Sequence, residues 1–300
     1  MVKHPAIPRP SYWLVSVAAV LFGTVVVGGQ HFHKAGLSLY EICLFPLLFT
    51  FLALLPGLLS HRKDLTGLSL SFFAIYGLIG ALAELAQFGG VVRGVPVAVT
   101  ALLLYSQPAW TLLFGKVFLN EPISKPKLFA AVLAVLGVAL LVNSDTGTDK
   151  YDSKGIISAL LGGLFISLWV IWGRKSGIDQ RHYVVTTAAW AGFSSLWLVA
   201  LWPIAVIITS DEKLTRISLV RVFEFWPSLA SFALVAGVLP GLLLFKGLQS
   251  VSASTAGILL LLEPVSATLL SVALLSQRVN ALIVLGGALI LLANAAVVAE

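Results

Sequence analysis

Two carboxylates interrupt long apolar runs of this chain, Glu84 and Glu263. A carboxylate in hydrocarbon is destabilised by several kcal/mol unless it is paired, protonated or wetted by a cavity. Such residues point to a site that binds an amine or a proton. At helical spacing Glu84 shares a face with Tyr76, Gly80, Gln87 and Phe88, and Glu263 with Ala256, Leu259 and Ser266. Gln107 lies 156 positions before Glu263, Thr100 and Thr111 extend its stripe, and Trp110 follows three residues on. Gln107 and Glu263 each precede a proline, Pro108 and Pro264. A proline removes one helical hydrogen bond, so both helices are expected to kink there and free carbonyls that only a polar interior satisfies. Two readings fit the pair: lining of a substrate site, or glue that satisfies the kink and locks two helices together.

Other polar and aromatic groups are weaker candidates. Phe165, Trp169 and Trp172 form one helical stripe, with Trp169 the best placed to wall a pocket for a flat or apolar substrate. Lys246 is a binding candidate that can equally snorkel to the headgroups. His31, His33, His61 and His182 sit at helix ends or beside loop cations without the carboxylate spacing of a metal site, and no metal is expected. Cys43 has no partner cysteine. Neither a phosphate-binding glycine loop nor a nucleophile motif is present, so no cofactor and no ATP drive are expected.

The elements that must hold these residues follow from composition. Hydrophobic residues make up 59% of 300 and charged residues 11%, and mean hydropathy is +1.00, values outside the range of soluble domains. The expectation is an all-α integral membrane protein. With about 20 apolar residues per crossing, spans fall at roughly 12–30, 38–60, 70–92, 97–118, 126–143, 155–173, 183–208, 227–248, 253–275 and 280–298. Net charge is +6, but the cations are scattered in short loops, which argues against nucleic acid as a partner.

Residues 97 to 143 recur, degenerate but ungapped, at 253 to 299: Leu119 falls on Leu275, Leu136 on Leu292 and Ala139 on Ala295. The polar stretch Asn143 to Lys154 reads as a linker between a first repeat, 1–145, and a second, 146–300. Lys3, Arg9, Arg62, Lys63, Lys116, Lys125 and Lys127 lie on one side of the first five spans and only Lys34 and Arg93 on the other. That asymmetry puts the N-terminus in the cytoplasm and, after ten crossings, the C-terminus too. An odd number of helices per repeat makes the repeats inverted, a ten-helix carrier design with a central site. Ser210 to Glu224 is expected as a solvated loop or short surface helix, and Gly77, Gly80, Gly162, Gly163, Gly237, Gly241, Gly286 and Gly287 as close helix contacts.

The motif Leu102-Leu-Leu-Tyr-Ser-Gln-Pro-Ala-Trp-Thr111 with Leu119-Asn-Glu-Pro-Ile-Ser124 is echoed by Leu260-Leu-Leu-Glu-Pro-Val265 with Leu275-Ser-Gln-Arg-Val279. With Leu21-Phe-Gly-Thr24 and its weaker mate Leu164-Phe-Ile-Ser167, this pattern resembles the EamA-type members of the drug/metabolite transporter superfamily over nearly the whole chain. The resemblance implies two inverted five-helix repeats around a central cavity, alternating access, and small metabolites as cargo. It makes Glu121 a structural loop glutamate. Many such proteins carry an arginine early in the second helix, whereas here Glu41-Ile-Cys-Leu-Phe is followed by Pro46.

The expected function is therefore a secondary active or facilitated carrier in the cell (inner) membrane, exporting amino acids or related amphipathic solutes, with a proton as a second candidate ligand of Glu84 or Glu263. A nucleotide-sugar or phosphorylated-metabolite exchanger is the alternative, but phosphates usually demand cationic partners, which the deep spans lack. A lipid-acting membrane enzyme would need clustered acid–base residues at headgroup depth. The sequence leaves the oligomeric state open.

Overall fold

Lipid offers a backbone no hydrogen-bond partner, so a chain this apolar satisfies its own amides in helices. In the computed structural model, which describes residues 10–61, 63, 68–95, 100, 103–142, 152–209, 211–275 and 281–298, every regular element is helical. The first half contributes α1 (Pro10–Lys34), α2 (Leu39–Ser60), α3 (Leu68–Val92), α4 (Gln107–Leu119) and α5 (Lys125–Val142). The second contributes α6 (Ser153–Ile178), α7 (Tyr183–Ile208), the single turn α8 (Glu212–Thr215), α9 (Leu219–Phe232), a π-helical segment (Ala233–Val238), α10 (Leu239–Gly247), α11 (Ala253–Leu259), α12 (Leu262–Leu275) and α13 (Ala281–Val298). Six of these segments are long and apolar enough to cross a membrane: α1, α2, α3, α6, α7 and the run Leu219–Gly247. Large apolar side chains such as Ile207, Val220 and Phe223 are exposed on the outside, as a hydrocarbon bath permits. The expected linker lies outside the described residues at 143–151.

Packing interleaves the two halves. α3 lies along α6 and α7, α2 along α7, α1 along α10 and α12, α4 along α6 and α11, and α5 along α13. The partnerships are matched: α1 meets α12 as α6 meets α4, and α5 and α13, which are 156 residues apart, meet each other. Small residues allow the approach. A Cβ at Gly77 would run into Phe193 and Ser194 of α7, one at Gly137 into the Gly286 carbonyl of α13, and one at Gly163 into the Leu104 carbonyl.

Two features depart from the expectation. The helix expected from 227 starts at Leu219, eight residues earlier, where Ser218 caps it by accepting from Arg221 N at 3.5 Å; the loop before it contains only the turn α8. The expected kinks at Pro108 and Pro264 are breaks that lie just before each proline. Ser106 N donates to Leu103 O (3.3 Å) and Ala109 N to Ser106 O (3.1 Å); Leu261 N donates to Ile258 O (3.0 Å) and Glu263 N to Leu260 O (2.9 Å). These are three-residue turns, after which a new helix begins. Pro108 thus occupies the first turn of α4, where its missing N–H would have had no helical partner anyway. Pro108→Ala is accordingly expected to change stability by less than about 1 kcal/mol, far below the ~3 kcal/mol of a mid-helix proline; chemical denaturation in detergent measures it.

Proline acts differently in the run Leu219–Gly247. Pro240 cannot donate to the Ala236 carbonyl and its ring crowds it. The preceding turn widens, and Leu239 N reaches back five residues to Leu234 O. Such wide turns re-aim the residues they carry.

Candidate functional site

The breaks, the wide turn and the middle of α3 meet at the centre of the bundle around a cavity of about 110 Å³, room for several waters or a small polar group. α3 supplies Gly80, Glu84, Gln87 and Phe88 on one face; the two breaks supply Leu104, Tyr105 and Gln107 from one half and Leu260 and Glu263 from the other. Phe22 of α1, Trp169 of α6, Trp190 of α7 and Phe232 of α9 form aromatic walls, and the wide turn brings Ala236 and Gly237. Glu84 and Glu263 come from different halves and lie close enough to interact electrostatically. Among the described residues no lysine or arginine lines the cavity.

Local bonding fixes these groups. At the start of α4 the Gln107 carbonyl accepts from Ser167 Oγ of α6 at 2.8 Å and from Thr111 Oγ1 at 2.9 Å. The Gln107 amide donates to Thr111 Oγ1 at 3.0 Å, so this side chain is held against its own helix. In the other half Ser266 Oγ donates to Val20 O of α1 at 2.7 Å, pinning α12 beside the first helix. The Tyr105 phenol faces the Glu263 carboxyl across the two breaks, near enough to interact with it. Glu84 lies beside Cys43 of α2.

Of the residues singled out in the sequence, Glu84, Gln87, Phe88, Gln107, Trp169 and Glu263 come together at this cavity. Four stand elsewhere. Tyr76 is fully buried two turns from Glu84, its ring against Phe245. Thr100 is buried against Gly90 of α3. Trp110 turns along α4 to stack on Phe114, ring centroids 5.9 Å apart. Lys246 is exposed with its ammonium over the Tyr183 ring, 5.5 Å from the centroid, the snorkelling alternative.

Sequence reasoning missed Tyr105, Trp190, Thr50, Phe232 and the wide turn. Tyr105 stands two residues before Gln107 and belongs to no helical stripe with it, because the break changes the phase. Trp190 was discoverable as a lone large residue in the small-residue run Thr186-Thr-Ala-Ala-Trp-Ala-Gly192. Pro46 lines the cavity, so the departure at the start of the second helix falls on the cavity wall. A second cavity, about 680 Å³, lies between α1 and α9 beside Gln30, His31, Lys34 and Ser228, and Phe232 lines both.

Among the described residues no group of three or more histidines, cysteines or carboxylates is placed to hold a metal ion. The chemistry on offer is binding: two carboxylates for a cation, amides and a phenol for directional bonds, and aromatic faces for an apolar or cationic body.

Comparison with known proteins agrees with this architecture. The model of the EamA-like transporter family matches residues 9–143 and again 153–299. An "Uncharacterized transporter" of Clostridium kluyveri is 21% identical over 93% of this chain and 89% of its own length. One of Archaeoglobus fulgidus is 25% identical over 92% of each. The pseudopaline exporter CntI of Pseudomonas aeruginosa is 22% identical over 50% of this chain and 56% of its own. A crystal structure at 17% identity superposes over 96% of both chains with a TM-score of 0.74, which speaks to the fold.

Proposed function

The chain belongs to the EamA-like transporter family, and from that premise we propose that it is an alternating-access carrier exporting amine-bearing amphipathic solutes, amino acids or close relatives among them. The observation that carries the proposal is the meeting of Glu84 and Glu263 in an aromatic-walled cavity that no lysine or arginine among the described residues lines. Two carboxylates attract an ammonium group, and Trp169, Trp190 and Phe22 offer it cation–π contact while accommodating a flat side chain. A phosphorylated or nucleotide-sugar cargo would meet like charge and find no cationic clamp. The similarity to an exporter that spans half of the chain supports outward transport.

In this reading the protein crosses the inner membrane ten times, with both termini in the cytoplasm, as two inverted repeats, 1–145 and 146–300. The matched helix partnerships support that arrangement. Transport proceeds by rocking one set of helices against the other about the breaks at Pro108 and Pro264 and the wide turn before Pro240. Glu84 or Glu263 binds the amine, and in a proton-coupled cycle exchanges it for a proton.

Thermal stabilisation of the purified protein against a panel of metabolites tests the cargo class. A ligand that binds only the folded state at a hundred times its Kd contributes about 2.7 kcal/mol. Amine-bearing amphipathic compounds are expected to raise the melting temperature, and sugar phosphates and nucleotide sugars to leave it unchanged. Stabilisation by the phosphorylated set alone would reverse the assignment.

A further inference from the structure

The central cavity is closed off along the bundle by two barriers of unequal thickness. Toward the start of α3 and the end of α10, Trp169 and Trp190 form its wall and Phe245 and Tyr76 stack behind them. Ring centroids there are 5.3 Å apart for Trp169 and Phe245, 6.1 Å for Trp190 and Phe245 and 6.0 Å for Tyr76 and Phe245. Gly173 of α6 leaves no space in that layer, since a Cβ on it would press on Phe245, Leu248 and the Tyr76 hydroxyl. Toward the other end one ring stands alone. Phe232, at the end of α9, lines both the central cavity and the larger one between α1 and α9, and among the described residues it is the one side chain the two linings share.

The seat of that ring is made by missing side chains. A Cβ at Gly28 would collide with the Phe232 ring and one at Gly29 with the Phe88 ring, so α1 offers two bare positions to two phenyl groups. Phe32, one turn further along α1, meets Phe232 edge to face with centroids 5.4 Å apart. α1 packs along the wide turn and α10 but hardly along α9, and the second cavity occupies the gap. Its walls are mostly neutral: Thr24, Gln30, Ser228 and Ser231, with His31 and Lys34 exposed at the end of α1. Among the described residues no carboxylate lines it.

We infer that the cavity between α1 and α9 is the outer vestibule of the transport path and that the Phe232 ring is the gate between this vestibule and the central site. The inference rests on the central cavity being the cargo site and on α1 ending at the outer surface. Room for a small polar group suffices for the cargo's amine but not for an apolar body beside it. Swinging the Phe232 ring off Gly28 joins the two cavities and supplies that room. The swing gives up one edge-to-face contact, whereas opening the opposite barrier would part three ring pairs that all include Phe245. An amine that leaves Glu84 and Glu263 then meets no further acid and passes the Lys34 ammonium at the mouth, so the vestibule conducts cargo outward without holding it.

Cys43 is the only cysteine of the chain and lines the central cavity, so its reaction rate reports whether that cavity can be reached. The probe is the membrane-impermeant cation 2-(trimethylammonio)ethyl methanethiosulfonate, applied to the full-length protein in right-side-out and inside-out membrane vesicles. The Cys43 thiolate attacks the reagent's divalent sulfur, a mixed disulfide forms and methanesulfinate leaves. From outside, Phe232→Ala is expected to speed this reaction at least about tenfold, because a closed gate leaves the open state populated at roughly 10% or less. Phe232→Leu, a milder change, should speed it by an intermediate factor. Ser231→Cys in a Cys43→Ser background places the thiol on the vestibule side of the ring, and Phe232→Ala should leave its rate from outside unchanged. From the cytoplasmic face Phe232→Ala should leave the Cys43 rate as it was. Unchanged Cys43 rates from outside in both Phe232 variants overturn the gate. Equal acceleration from both faces, or equal acceleration of Ser231→Cys, also overturns it, because that is the signature of a loosened bundle. Acceleration from the cytoplasmic face alone overturns the outer placement of the vestibule. The reagent reports the path and not the cargo, so a gate that fails here leaves the amine site standing, and an amine site that fails the metabolite panel leaves these rates readable.

Discussion

Glu84→Gln and Glu263→Gln are each expected to weaken binding of an amine substrate by ten- to a hundredfold while leaving thermal stability unchanged or slightly raised. The loss follows from replacing a charge-assisted hydrogen bond, worth roughly 1.5–3 kcal/mol, with an amide that cannot answer an ammonium charge. Stability holds because glutamine is isosteric and removes a charge that a low-dielectric interior disfavours. The two effects should be less than additive in the double variant, since both side chains face one cavity and interact with each other. The combination of readouts decides between the two roles that sequence reasoning left open. If Glu263 were only glue for its broken helix, Glu263→Gln would lower stability by weakening its contact with Tyr105, and substrate affinity would follow only as far as the fold suffered. Tyr105→Phe, which removes the phenol facing Glu263 and spares the charge, is the matching control. Transport across reconstituted vesicles adds the coupling question: with an inward-directed proton gradient the unaltered protein should move substrate faster than without it, and Glu84→Gln should abolish the difference. Equal rates in both conditions would leave a facilitated carrier.

Much of this site was legible because the physical rule behind it is severe. Few residues other than functional or paired ones survive as acids in apolar runs, so Glu84 and Glu263 stood out, and helical spacing then attached Gln87 and Phe88 to the first of them. The same spacing misled where the helix does not continue. Thr100 was placed on the Gln107 stripe by counting through a helix that in fact breaks at 105–106; Trp110, three residues on in the unbroken α4, stacks along that helix on Phe114 instead; and Tyr105, at the break, had no stripe to belong to. Tyr76 lies on the correct face of α3 and too far along it, and spacing gives phase without depth. Trp190 and the wide turn before Pro240 depend on which helices pack together, which one chain read without its contacts does not encode locally. Glycine clusters marked close approaches, but that Gly80 packs against Trp190 and Ser194 became visible only when α7 was beside it.

Glu121 provides the largest expected effect on stability, and its role is plain only in three dimensions. It sits in the connection after α4, yet its carboxylate accepts from Ala253 N at 2.8 Å, Ser254 N at 3.1 Å and Ser254 Oγ at 2.9 Å, satisfying the first amides of α11. Arg174 at the end of α6 approaches it, Nε to Oε1 at 3.8 Å, and donates to Leu248 O at 2.7 Å. At the opposite end of the bundle Glu41 does the corresponding task, accepting from Ser38 N and from Ser218 N, each at 2.7 Å, and so joining the start of α2 to the start of α9. In both cases a first-half carboxylate holds a second-half helix start, and α11 is the helix that leads into the break before Glu263. Glu121→Ala would strand two amides and remove the counter-charge of a mostly buried guanidinium, whose side chain is 18% exposed. The expected loss is about 2–4 kcal/mol of unfolding free energy. Glu121→Gln should lose less, because the amide oxygen still accepts one bond. Adding Arg174→Gln to Glu121→Ala should restore part of the loss, since no unpaired charge then remains. Substrate affinity should fall far less than in Glu84→Gln, as Glu121 is not part of the cavity wall. Should Glu121→Ala unfold within about 0.5 kcal/mol of the unaltered protein, the join between the halves at this end would have to be carried by helix packing alone, and the carboxylate would be incidental to it.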